Sequence, residues 1–173
     1  MDKLQIELAS FALRSILPTH LFWKIGIEMS TRQIHVFISH AWKYSNNYET
    51  LAKWIFGMPS NSGQASFDIR DYSVPKDDPI HNATNEQQLD KAILKQIQMS
   101  HVVVIPTGLY ASYSKWINKE IDWAKALGKP IIAVNLWGAE RKSSVVLQNC
   151  DVEVGWNRQP LIDSIWKHYI TNQ

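Results

Sequence analysis

Residues His101–Ile105 read HVVVI, an almost unbroken apolar run, which is the pattern of a strand buried on both faces. Two comparable runs flank it at a distance, Ile34–Ser39 (IHVFIS) upstream and Ile131–Leu136 (IIAVNL) downstream. Helical patterns fill the intervals. Tyr48 to Phe56 is one. A second opens on Thr84 and Gln87, a capping-box pair, and carries Leu89, Ala92, Ile93 and Ile97 on one stripe. A third runs from about Lys115 to Leu127 and stops at Gly128, with Pro130 just beyond. Phe67–Arg70 (FDIR) alternates apolar with polar and predicts a strand nearer an edge. Val152–Val154 is a short further sheet element, and Pro160 starts a last helix with Leu161, Ile162, Ile165 and Trp166. Strands that are apolar on both faces and alternate with helices predict a parallel sheet with helices on both sides.

The first thirty residues differ from this pattern. Leu4, Leu8, Phe11, Ala12 and Ser15 keep helical spacing until Pro18, and Leu21, Phe22, Trp23, Ile25 and Ile27 form a second apolar patch. They predict a helical extension over 1–32, packed on the domain or on a partner, ahead of a domain over 33–173. A membrane-surface anchor is the other reading, and the small positive charge of its polar face speaks against it.

Composition narrows the function classes. The 173 residues suit one domain with a sizeable core. Eighteen Lys and Arg against sixteen Asp and Glu leave a formal charge of +2, which offers no basic patch for nucleic acid. Cys150 is the one cysteine, so an internal disulfide is impossible and a reducing, cytoplasmic setting is expected, with the thiol structural rather than catalytic. Charges interrupt every apolar run before the roughly 18 residues a membrane span needs, and the N-terminus lacks the layout of a secretory signal. No glycine-rich dinucleotide loop, P-loop, nucleophile elbow or metal-ligand spacing occurs, so no cofactor and no metal are expected. Eight tryptophans are many for this length; Trp42 and Trp116 stand where loops or helix starts are expected and can offer flat faces to an aromatic ligand.

One residue breaks its own pattern. On a helical wheel of about 100° per residue, Trp116, Ile117, Ile121, Trp123, Ala124 and Leu127 share an arc of roughly 160°. Lys115, Asn118, Lys119, Asp122 and Lys125 take the other side. Glu120 falls inside the apolar arc, the only charge there. A carboxylate turned toward a core needs a partner, a hydrogen bond or a cavity, so an ion pair and a functional site are both open on pattern alone. This helix starts about ten residues after HVVVI, near the carboxyl ends of the strands where open α/β sheets bind ligands. Trp116 lies four residues from Glu120 on the same face.

Phe37-Ile38-Ser39 at the end of the first strand, Arg70-Asp71 followed by Pro75 after the second, and Trp116-x-x-x-Glu120 together resemble the TIR superfamily, above all the bacterial TIR-like proteins of Thoeris anti-phage systems. The resemblance spans roughly residues 33 to 157. It implies a flavodoxin-like α/β fold, with a five-stranded parallel sheet in the order 2-1-3-4-5 and helices on both faces. It implies an enzyme that cleaves NAD between nicotinamide and ribose, an NAD glycohydrolase or ADP-ribosyl cyclase making an ADP-ribose-derived signal. NAD is then substrate, not cofactor, and the implied partners are further copies of the chain or an effector that senses the product.

By the same resemblance Glu120 matches the catalytic glutamate. Phe37, Ser39 and His40 match the pocket-lining loop after the first strand, Trp116 the start of the glutamate helix, and Tyr72 the loop that gates the pocket. His40 taken alone reads as a hydrogen-bonded loop residue, and Asp77 and Asp78 as solvated ones. The chain departs from the R-D-x-x-P-G box, which here runs Arg70-Asp71-Tyr72-Ser73-Val74-Pro75-Lys76, and has only Gly155-Trp156 near the place of a late F-W pair. A non-catalytic interaction module and a nucleoside deoxyribosyltransferase-like enzyme are the competing expectations.

Overall fold

The computed structural model describes residues 32–39, 46–74, 86–108, 114–137 and 142–173. The N-terminal extension up to residue 31, His40, Trp42, the 75–83 loop with Asp77 and Asp78, and Thr84 lie outside the described residues. In chain order the elements are β1 (Arg32–Ile38), α1 (Asn46–Phe56), β2 (Ser60–Ser62), β3 (Ala65–Asp71), α2 (Glu86–Met99), β4 (Val102–Pro106), α3 (Ser114–Ala126), β5 (Ile131–Val134), α4 (Ser144–Asn149), β6 (Val152–Val154) and α5 (Arg158–Thr171).

The described strands form one sheet in the order β2-β3-β1-β4-β5-β6. Five of them, β3-β1-β4-β5-β6, are parallel. Counted without β2, they follow the expected succession 2-1-3-4-5. The expectation of a purely parallel five-stranded sheet is nevertheless corrected: the sheet has six strands and is mixed, because β2 pairs antiparallel with β3. Ser62 and Ala65 face each other across a two-residue turn in which Gly63 has φ 57°. That left-handed value at the first turn position is the place where glycine folds a tight hairpin without steric cost. The second element missed by the sequence is α4, six residues long, whose N-cap Ser143 side chain accepts from the Val146 N–H.

Strand alternation splits the core in two. Ile34, Val36 and Ile38 of β1 join Val102, Val104, Ile132 and Val134 under α1 (Leu51, Ile55) and α5 (Leu161, Ile162, Ile165). Phe37 points the other way and joins Val103, Ile105, Ile131 and Ala133 under α2 (Ile93, Ile97) and α3 (Ile117, Ile121, Ala124). Helices therefore cover both faces, as strands apolar on both sides require.

Helix α3 ends as its sequence predicts. The Lys129 N–H bonds to the Ala124 carbonyl and the Gly128 N–H to the Lys125 carbonyl, with Gly128 at φ 63°. This is the Schellman pattern, which satisfies carbonyls the helix leaves open. Because β4 and β5 are parallel, the crossover helix α3 runs against them, and its first turns lie at the carboxyl ends of the strands.

Candidate active site

The wheel placed Glu120 among apolar residues, and the structure buries it completely. Its exposure is 0%, with Ile117 and Ile121 at 2% beside it, while Lys115, Asn118, Asp122 and Lys125 are exposed. Burial of a carboxylate demands hydrogen bonding. The Ser39 hydroxyl supplies one bond, donating to Glu120 Oε2 at 2.5 Å across 81 residues of sequence. Ser39 is itself fully buried.

Ser39 follows the last residue of β1 and is tied down from two sides. Its N–H bonds to the Val104 carbonyl of β4 at 2.9 Å. One residue earlier, the Ile38 N–H donates to Ser73 Oγ at 3.0 Å. Ser73 is held in turn by its own N–H on Asp71 Oδ1 at 2.8 Å, a turn closed by an aspartate two residues back. The buried Tyr48 phenol of α1 also hydrogen-bonds with Ser73, and its pKa is raised, first by burial and then by the Asp71 carboxylate. Asp71 stood in the sequence only as part of a motif, and neither Ser73 nor Tyr48 was given a role; the D-x-S spacing was the available signal for the Asp71–Ser73 turn.

The neighbouring strand end carries a second polar run. Thr107, fully buried after β4, takes its N–H to the Val134 carbonyl and its hydroxyl to Asn135 Oδ1 at 2.9 Å. Asn135 donates on to Glu153 Oε1, which also accepts from Lys142. Lys142 and then Asn135 hold the Glu153 carboxyl below its usual range. Chain order reverses between β1 and β4, since β1 leads to β3 on one side and β4 to β5 on the other. Ser39 and Thr107 end these two strands, so the polar groups gather at the switch point where doubly wound sheets bind ligands.

The other residues singled out in the sequence are placed as follows. Trp116, in the first turn of α3, is half-buried against the core face that also holds Phe37, and Lys119 Nζ stands 4.8 Å from its ring centroid. Phe37 is fully buried in that core. Tyr72 turns back along the sheet, its ring stacked at 4.2 Å on His35, which stacks on His101 at 4.6 Å. The structure thus brings Ser39 onto Glu120, keeps Phe37 and Trp116 on the same core face, and directs Tyr72 to His35.

Outside this corner the chemistry is plain. Cys150 caps α4, its thiol on the Leu147 carbonyl and pushed up chiefly by burial, the setting of an inert structural cysteine. Lys115 and Lys119 of α3 pair with Glu86, and Lys119 with Asp90, both on α2. Two clefts lie at the opposite, amino-terminal edge of the strands, lined among others by His101, Lys129 and Tyr169 and by Lys125 and His168. The carboxyl ends of α3 and α5 turn their carbonyls that way, and cations there answer the helix dipoles. No helix among the described residues is long and apolar enough to cross a membrane.

The family model described as Thoeris protein ThsB, TIR-like domain, matches residues 37–141, more than half of the chain. The chain belongs to this family. The span of the TIR-like match takes in Ser39, Ser73, Thr107 and Glu120, the four residues on which the polar corner is built. No curated protein matches the chain.

Three solved structures are similar to this TIR-like domain at low sequence identity. The CMP N-glycosidase BcmB of Clostridium botulinum is 16% identical, with 77% of this chain and 96% of that one covered and a TM-score of 0.43. A 3-dehydroquinate dehydratase-like protein from Bifidobacterium longum is 9% identical, with 83% and 99% covered and a TM-score of 0.44. The flavoenzyme FerB, an NAD(P)H:acceptor oxidoreductase from Paracoccus denitrificans, is 15% identical, with 82% and 98% covered and a TM-score of 0.43.

Proposed function

We propose that this Thoeris TIR-like domain is an enzyme that breaks the nicotinamide–ribose bond of NAD and so produces an ADP-ribose-derived signal in cytoplasmic anti-phage defence. The observation that carries this reading is the buried Glu120 carboxylate, hydrogen-bonded by Ser39 at the switch point of the sheet. A charge held in a dry corner at the ligand-binding edge acts with little screening.

The chemistry asked of it is modest. Nicotinamide leaves NAD as a neutral base, taking the electron pair of the C1′–N bond, so no general acid is required. The ribosyl fragment left behind is an oxocarbenium-like cation. Glu120 stabilises that cation by preorganised electrostatics. Capture by water yields ADP-ribose and releases one proton; capture by a nucleophile of the same molecule or another yields a cyclic or conjugated product. Trp116, a turn before Glu120, offers the ring surface for the aromatic part of the substrate. NAD is consumed as substrate, and the product's receptor, or further copies of the chain, are the partners this reading calls for.

The purified protein is to be incubated with NAD and, separately, with deoxynucleosides. Release of nicotinamide from NAD, with deoxynucleosides left intact, is the expected result. Transfer or hydrolysis of the deoxynucleosides instead would replace the reading with a deoxyribosyltransferase-like one. Absence of turnover on both, at concentrations that assemble the protein, would leave an interaction module.

A further inference from the structure

Resting on that function, we infer that Ser39 is a positioning residue for Glu120 rather than a donor to the phosphates of the substrate. A serine hydroxyl has one proton to give. Here that proton lies on Glu120 Oε2 at 2.5 Å, with both side chains fully buried. What Ser39 keeps is acceptor capacity. An ionised phosphate, which only accepts, finds no donor in it.

The backbone around Ser39 is fixed as a positioning role requires. The Ser39 N–H is bonded to Val104 of β4, and the preceding Ile38 N–H to Ser73 of the β3 end. Ser73 is braced by Asp71 and by Tyr48 of α1. The hydroxyl therefore stands on a strand end bonded to both of its neighbours. Glu120 is seated from the other side by Ile117 and Ile121 in the core. Movement of either partner would break packing or ladder bonds, so the carboxylate is oriented before substrate arrives, which is where electrostatic catalysis draws its advantage.

The chain predicts a split between the steady-state constants. In Ser39→Ala, kcat for nicotinamide release falls about 10- to 100-fold, as on loss of a group that orients a catalytic ligand, while KM stays within about twofold. The acidic limb of the kcat profile moves to higher pH, because a hydrogen bond to the charged carboxylate has been removed. Ser39→Thr, which keeps the hydroxyl, restores most of the rate and the original limb.

A carbon-13 titration of the Glu120 carboxyl in full-length wild-type protein and in Ser39→Ala needs no turnover, and it is expected to move to higher pH in the variant. If Ser39→Ala is poorly folded, the same measurements on Ser39→Cys, which nearly preserves volume but donates weakly, are expected to show smaller changes of the same sign. A raised KM with unchanged kcat, or an unmoved carboxyl titration, overturns the inference. Full activity of Glu120→Gln overturns instead the function on which it rests, so the two failures are told apart.

Discussion

The two faces of the sheet are built from the same strands and differ in one respect. Beneath α1 and α5 the hydrophobic cluster holds no buried charged residue among the described residues, and the half-buried ring of Trp166 stacks on Phe67 at 4.8 Å. Beneath α2 and α3 the packing is as tight, yet Glu120 stands among Ile117, Ile121 and Ala124 at zero exposure. This second face gives up one core position to a carboxyl group, near the carboxyl ends of the strands. A buried polar pair is weak grounds for stability and better grounds for function.

Substitutions on each face can break or sharpen that contrast. Leu161→Ala, on the first face, is expected to lower the unfolding free energy by about 2–5 kcal/mol in urea titrations, because a fully buried leucine leaves a cavity. The double variant Ser39→Ala/Glu120→Met removes both polar partners and refills the space with apolar atoms. It is expected to melt no lower than the wild type while losing activity. A drop as large as that of Leu161→Ala would mean that the pair is structural, and the contrast between the faces would vanish.

A smaller effect belongs to the histidine pair. His101 Nδ1 accepts from the His35 N–H, and the His101 ring is stacked on that of His35. Burial first, then His35 and Lys129, lower the pKa of His101 below its ordinary 6.5. The unfolded chain therefore binds this proton more tightly than the folded one. The associated stability is complete above about pH 6.5 and declines as pH falls toward the folded-state value. Denaturation curves at several pH values between 7.5 and 5 should show a shallower decline for His101→Asn than for the wild type. The least change is expected at the pairs between α2 and α3: Lys119→Ala should shift the melting temperature little, and less still in high salt, since pairs that keep contact with solvent are screened.

The sequence disclosed what depends on local periodicity. The runs HVVVI, IHVFIS and IIAVNL gave three buried strands, and the wheel of α3 named most of its buried face, Glu120 included, while Leu127 of the same arc lies past the helix end and is exposed. The stop at Gly128 was legible because glycine at a left-handed position carries its own signature. The hairpin strand β2 was not, since Ser60-Asn61-Ser62 has no apolar alternation and exists by pairing with β3. Nor was the partner of Glu120. Ser39 lies 81 residues away, and only the parallel pairing of β1 with β4 and the packing of α3 bring it near. The resemblance marked Ser39 as a pocket residue, while its bond to the carboxylate is a tertiary fact that no spacing records.

Whether Glu120 acts at a ribosyl bond is read from the rate of nicotinamide release by Glu120→Gln beside wild type. Glutamine keeps the shape and an acceptor for Ser39 but not the charge. The expected result is a loss of at least about 100-fold in kcat with the melting temperature unchanged or raised. A variant that folds normally and releases nicotinamide at the wild-type rate would contradict it.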